Sequence, residues 1–222
     1  MMKILLNRIA GVGAFLSAAL IPTAFLLSTL FPNATTAQRN QLEGTSEYFL
    51  ILAPALLLPA VFVLGRFFRA QRPRLANAAT VVGLAGMLPF LALMLLGAGL
   101  DFANQYATVS IAGFAGALWL KHVTFGFMLL IGVWLILTGV LAQLTQRVPP
   151  LLGLAALTSG VAWGALMATT LYVAFPAGTL ASLTLAISLP VWLLAHLTFT
   201  IWLGFWLLTR KPADEVEVLL GA

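Results

Sequence analysis

The residue with the clearest capacity for chemistry is His196, which lies near the middle of an apolar stretch at 182–208. No other side chain in that stretch is ionisable, and the stretch is long enough to cross a bilayer as a tilted helix. An imidazole at membrane depth is costly unless it faces protein, water or a bound ligand. What the other segments place around His196 is therefore the first functional question.

Aromatic and hydroxyl side chains recur at helical spacing around His196. Trp192 precedes it by one turn, and Phe199 and Thr200 follow on the same face. At 1.5 Å per residue, His196 lies roughly 21 Å from the start of its helix, and Trp163 of the preceding segment falls at mid-depth as well. Indole N–H groups at that depth need acceptors. This pattern predicts an aromatic pocket for a lipid, quinone or pigment. The alternative is a neutral histidine packed in the bundle and bonded to a threonine or a free carbonyl.

A haem or a chlorophyll-type magnesium pigment is a sharper alternative, because histidine is a common axial ligand. His122 lies about four residues inside its helix and His196 about fourteen, so their heights differ by roughly 15 Å. A haem shared by the two histidines is therefore disfavoured. The preferred interpretation has no cofactor, and a cofactor held by His196 alone remains the alternative.

Three polar residues, Asp101, Lys121 and His122, lie near the ends of the third and fourth segments. Interfacial anchoring explains them most simply, because lysine snorkels to the headgroups and histidine can contact water. The functional alternative is an outer mouth that binds an anionic or polar group.

The composition identifies the bilayer as the solvent of this chain. Of its 222 residues, 62% are hydrophobic and 8% are charged, and the mean hydropathy is +1.06; in soluble domains about a quarter of the residues are charged. The chain has no cysteine, which excludes disulfides and thiolate chemistry. No Asp, Glu, Lys or Arg lies deep in an apolar segment, which disfavours ion-coupled transport. We expect no catalytic residues and no metal site.

Six apolar segments predict an all-α, polytopic bundle of six transmembrane helices in one domain. The predicted spans are 9–30, 48–64, 75–99, 118–141, 151–175 and 182–208, followed by a short cytoplasmic tail at 210–222. Small residues at spacings of four or seven predict close helix contacts. They are Ala10, Ala14 and Ala18 in the first helix, Gly132 and Gly139 in the fourth, and Ala156, Gly160, Gly164 and Ala168 in the fifth.

Basic residues predict the orientation. Of the 11 lysines and arginines, all but Arg39 and Lys121 fall on one side of the predicted bundle. Short cytoplasmic loops retain positive charge, so both termini are expected in the cytoplasm of a bacterial inner membrane. The strongest cluster is Arg66, Arg69, Arg72 and Arg74, which we expect to attract anionic lipid headgroups. Membrane lipids and other membrane subunits are the expected partners, and nucleic acid is not.

The second half of the chain resembles a bacterial family of six-helix membrane proteins that is classed as a domain of unknown function. The resemblance lies in GVWLILTGVLAQLTQRVPPLLGLAALTSGVAWGAL and SLPVWLLAHLTFTIWLGFWLL, with a proline- and glycine-rich start to the fifth helix at 149–153 and a Trp-Leu motif at 201–203. It implies six helices and no particular activity.

The sequence thus leads to three functional hypotheses. The first is a non-enzymatic membrane protein, either an accessory subunit of a membrane complex or a binder of a hydrophobic ligand near His196. The second is a redox or pigment protein with His196 as axial ligand. The third is a facilitator for a small uncharged substrate, which would need a continuous polar path.

Overall fold

The computed structural model describes residues 2–29, 36–106, 118–172 and 179–210. Within these ranges the secondary structure consists of six helices without strands. They are α1 (Met2–Thr29), α2 (Thr36–Arg69), α3 (Pro73–Tyr106), α4 (Leu118–Thr145), α5 (Pro150–Tyr172) and α6 (Thr179–Thr209). Each helix contains a stretch that is long and apolar enough to cross a membrane. The predicted all-α fold is confirmed, and the architecture is that of a multi-pass membrane protein.

The six helices form a closed ring in chain order. Each helix packs against the next one along the chain, and α6 packs back against α1. Neighbouring helices run antiparallel, so the start of α1 and the end of α6 lie at the same end of the ring. We call this the arginine end, because it carries the exposed side chains of Arg66, Arg69, Arg72 and Arg74. The opposite end is called the far end.

Two short turns at the arginine end connect α2 to α3 and α4 to α5. Pro73 and Pro150 each occupy the first position of a helix, where the missing N–H is not needed. Gln146 ends α4 in the left-handed conformation, with φ of 51°, and its N–H donates to the carbonyl of Ala142 (3.0 Å). This is a common way to stop a helix. The turns hold the helices in adjacent, antiparallel pairs.

Small residues set the closest helix approaches. Ala10, Ala14 and Ala18 are buried on α1, and a Cβ at Gly13 would collide with the carbonyl oxygen of Leu56 on α2. Between α4 and α5, Gly132 lies against the backbone of Gly160, and Gly139 lies against that of Gly153. These backbones approach too closely for larger side chains.

The predicted small-residue stripe on α5 is closely packed in its first half. Ala156 is fully buried and Gly160 packs against the backbone of α4. The Cβ position of Gly164 faces open space, and Ala168 is exposed. Near Gly132, α4 meets both the indole of Trp163 and the backbone nitrogen of Gly164.

The half of the ring nearer the arginine end is tightly packed. Side chains that are almost completely buried there include Val61, Leu64, Phe68, Leu135, Leu141, Leu203 and Leu207. At the end of α6, the guanidinium of Arg210 lies 4.2 Å from the ring centroid of Phe67 and 4.9 Å from that of Trp206. Such cation–π contacts attach the end of α6 to α2.

Candidate functional site

A cavity of about 390 Å³ lies inside the ring. Every helix contributes to its wall: Ser17 from α1, Leu57 from α2, Met87 from α3, Ile131 from α4, Trp163 from α5 and His196 from α6. Its volume falls within the range of about 300–1,000 Å³ that is typical of small-molecule sites. The wall is almost entirely apolar, so the site suits a hydrophobic occupant.

The cavity lies at membrane depth, on the side of the packed core away from the arginine end. At 1.5 Å per residue, Ser17, Met87 and His196 each stand about 20 Å from the arginine end of their helices. The described core between that end and the cavity includes Val61, Phe199 and Leu203, all completely buried. The cavity therefore has a closed floor toward the arginine end.

His196 is buried in the cavity wall, with only 6% of its surface exposed. Its Nδ1 lies 3.3 Å from the Oγ of Ser159 on α5. Its Nε2 is buried and has no hydrogen-bond partner among the described residues. A buried polar group without a partner is destabilising by about 1–3 kcal/mol. One nitrogen of the ring thus has a protein partner, and the other has none among the described residues.

Two tryptophans continue the wall beside His196. The rings of Trp192 and His196 are 5.4 Å apart between centroids and inclined by 33°, and those of Trp163 and Trp192 are 4.8 Å apart and inclined by 37°. The indole N–H of Trp163 donates to the carbonyl oxygen of Met128 on α4 (2.7 Å). This bond supplies the acceptor that a tryptophan at mid-depth requires. The aromatic wall is therefore fixed to two neighbouring helices.

Two further residues of the predicted pocket, Phe199 and Thr200, are buried but are not in the cavity wall. Phe199 packs edge-on against Trp134 of α4, with 6.3 Å between ring centroids. The hydroxyl of Thr200 donates to the carbonyl of His196 (2.8 Å), within its own helix. Both lie one turn closer to the arginine end, below the cavity. The side-chain partner of the imidazole is Ser159 and not a threonine.

Sequence reasoning missed two serines, Ser17 and Ser159. The hydroxyl of Ser17 is completely buried in the cavity wall and has no hydrogen-bond partner among the described residues. Ser17 continues the buried face of Ala10 and Ala14 at helical spacing, which is a signal that would have located it. The partner of Ser159 lies on another helix, and no spacing within one helix reveals such a contact.

The predicted outer mouth involves Asp101, Lys121 and His122, whose side chains lie outside the described part of the structure. It therefore stays a prediction. Among the residues that are described, no group of histidine, aspartate and glutamate side chains is arranged to hold a metal ion.

No protein-family model, curated protein or solved structure matches this chain. The resemblance to a bacterial family of six-helix membrane proteins stays a prediction.

Proposed function

We propose that this chain is a bacterial inner-membrane protein that binds a hydrophobic small molecule in the central cavity. The observation that carries this proposal is an apolar cavity of about 390 Å³ whose wall contains His196, a residue whose buried Nε2 has no hydrogen-bond partner among the described residues. A ligand that bonds to this nitrogen removes the penalty of an unsatisfied buried group. The cavity favours ligand binding over a purely accessory role, because a subunit that only packs against a partner needs no internal site.

The structure also fits the binding of a ligand better than the transport of a substrate through the ring. A substrate that crossed the ring would have to pass between the completely buried side chains of Val61, Phe199 and Leu203. Interiors packed to that density do not open without displacing side chains. The cavity thus has the form of a binding pocket with one closed side, which argues against the facilitator hypothesis.

A short-chain quinone, decylubiquinone, is a suitable probe, because quinones quench the fluorescence of nearby tryptophans such as Trp163 and Trp192. We expect saturable quenching in the purified protein. Ala53 is buried in the wall, and Ala53→Phe should weaken binding by more than about tenfold, because the new ring occupies the space that the probe needs.

The matched control is Ala85→Phe, at an exposed position of α3. This variant should bind the quinone as the unmodified protein does. Circular dichroism and thermal unfolding establish that both variants are folded. Quenching that never saturates, or that is equal in the two variants, would contradict a site in the cavity.

An axial ligand to a haem or chlorophyll-type pigment is the second candidate function, favoured by one observation. Histidines that ligate metals commonly bond to a second group through their other ring nitrogen. In His196, Nδ1 lies against Ser159, and Nε2 has no hydrogen-bond partner among the described residues. We expect the protein purified in mild detergent to be colourless. A Soret or chlorin band that disappears in His196→Ala would instead establish the pigment function.

We propose that both termini are cytoplasmic and that the arginine end contacts anionic lipid headgroups on that side. The support is the exposure of Arg66, Arg69, Arg72 and Arg74 together at one end of the ring.

The orientation can be tested by labelling, because the natural chain has no cysteine. In Ala70→Cys, the new thiol stands at an exposed position of the α2–α3 turn. A membrane-impermeant maleimide should label it in inverted vesicles and not in intact spheroplasts. The cysteine-free protein controls for background, and strong labelling in intact spheroplasts would reverse the proposed orientation.

A further inference from the structure

We infer that the ligand of the central cavity is a neutral, hydrophobic molecule whose polar end is a hydroxyl group, and that Ser17 and His196 bind this hydroxyl together. The inference rests on the proposed function, since it specifies the ligand of the same cavity.

Two polar atoms of the described cavity wall are buried without a hydrogen-bond partner. They are the Oγ of Ser17, on a side chain that is completely buried, and the Nε2 of His196. The indole N–H of Trp163, by contrast, is occupied by the carbonyl of Met128. Buried polar groups in native proteins nearly always have partners, so an exception needs an explanation. Two such atoms on residues of one cavity wall are explained together if a ligand in that cavity bonds to them.

Ser17 and His196 also lie at similar depth on adjacent helices. Gly11 of α1 lies against Gly204 and Leu208 of α6. Because the two helices are antiparallel and rise 1.5 Å per residue, Ser17 and His196 differ in depth by about one helical turn. A ligand hydroxyl that bonds to one of the two atoms can therefore be linked to the other through one bridging water.

The chemistry of the two atoms selects a hydroxyl. The hydroxyl of Ser159 can donate to Nδ1 of His196 or accept from it, so Nε2 is a donor in one tautomer and an acceptor in the other. A ligand hydroxyl both donates and accepts, so it can satisfy His196 in either tautomer and bond to Ser17 at the same time. A ketone oxygen only accepts, so it satisfies His196 only in the tautomer whose Nε2 carries the proton, and an ether oxygen is a hindered acceptor that cannot donate.

The absence of charged side chains from the described cavity wall excludes an ionic ligand. Apart from His196, the described wall contains no ionisable side chain. A carboxylate or ammonium group would therefore be buried at membrane depth without a fixed counter-charge, which is strongly unfavourable. A neutral alcohol or phenol is the chemical class that fits.

Farnesol and farnesyl methyl ether form a matched pair of probes, since the ether differs from the alcohol only in a methyl group that replaces the hydroxyl hydrogen. Native mass spectrometry of the delipidated protein in detergent gives the bound fraction of each. We expect the alcohol to bind about three- to tenfold more tightly than the ether, which is the effect of one neutral hydrogen bond. Ser17→Ala and His196→Phe should each abolish the preference for the alcohol over the ether.

The control variant is Thr198→Val on α6, where the exposed hydroxyl donates to its own helix at the carbonyl of Leu194. It should leave both affinities unchanged. A direct readout comes from ¹⁵N-histidine spectra, because the chain contains only 2 histidines. The Nε2 signal of His196 is identified by its absence from the spectrum of His196→Phe. Farnesol should shift this signal, and the ether should shift it less.

The possible outcomes separate this inference from the proposed function. If the alcohol and the ether bind equally to the unmodified protein, the hydroxyl inference is wrong and the hydrophobic site stands. If neither binds and decylubiquinone also fails to bind saturably, the proposed function fails. If Ser17→Ala weakens both probes alike, Ser17 supports the wall without contacting the ligand, and the inference is overturned.

Discussion

Replacing Trp134 by alanine should lower the free energy of unfolding by about 3–5 kcal/mol, the largest stability effect that we expect for a single substitution in this chain. Trp134 is 99% buried, its indole fits against Gly83, and its ring contacts Phe199 of α6. The substitution would leave a cavity between α3, α4 and α6. In a membrane, where lipid is as apolar as the protein core, packing of this kind is what holds helices together.

Thermal unfolding in mild detergent, followed by circular dichroism, measures this effect. Trp202→Ala on α6 is the matched control, because Trp202 is 41% exposed on the outside of the ring. It should change the free energy of unfolding by less than about 1 kcal/mol. Equal destabilisation by the two substitutions would show that Trp134 is not part of a tightly packed interior.

The second large effect concerns the α4–α5 contact. In Gly160→Ala, the new Cβ would lie 2.7 Å from the carbonyl oxygen of Gly132 and 2.8 Å from the backbone nitrogen of Ile136. Both are backbone atoms, so the helices themselves must separate. Overpacking of this kind typically destabilises by about 1–3 kcal/mol.

Gly164→Ala provides the control, one turn further along α5. Its Cβ would meet no atom within 4 Å, and alanine is the better helix former. We therefore expect a melting temperature equal to or above that of the unmodified protein, against a clear decrease for Gly160→Ala. If the two variants melt alike, Gly160 does not lie at a close contact between α4 and α5.

Much of the fold can be predicted from the sequence, because membrane helices are recognisable by their length and hydropathy. Six apolar stretches predicted six helices, and the positions of the arginines predicted which turns lie together. The order of the ring was not predictable in this way. Which helix packs on which depends on shape at individual positions, such as the space that Gly83 leaves for Trp134, and no periodicity within one helix encodes that fit.

The candidate site was predictable only in part. A lone histidine at membrane depth directed attention to His196, and helical spacing added Trp192. The same spacing also suggested Phe199 and Thr200, but both lie below the cavity. One helical face runs the whole length of α6, whereas the cavity spans only part of that length. Ser17 and Ser159 were missed, since their significance arises from contacts between helices that are distant in the sequence.

The closed ring has a consequence for biosynthesis. Helix α1 is synthesised before α6 and can pack against it only after α2 to α5 have been translated. Until then the face of α1 that carries Gly11 lacks its contact with α6, and the pocket lacks the imidazole that α6 supplies. Insertion of α6 thus completes both the ring and the site in one event.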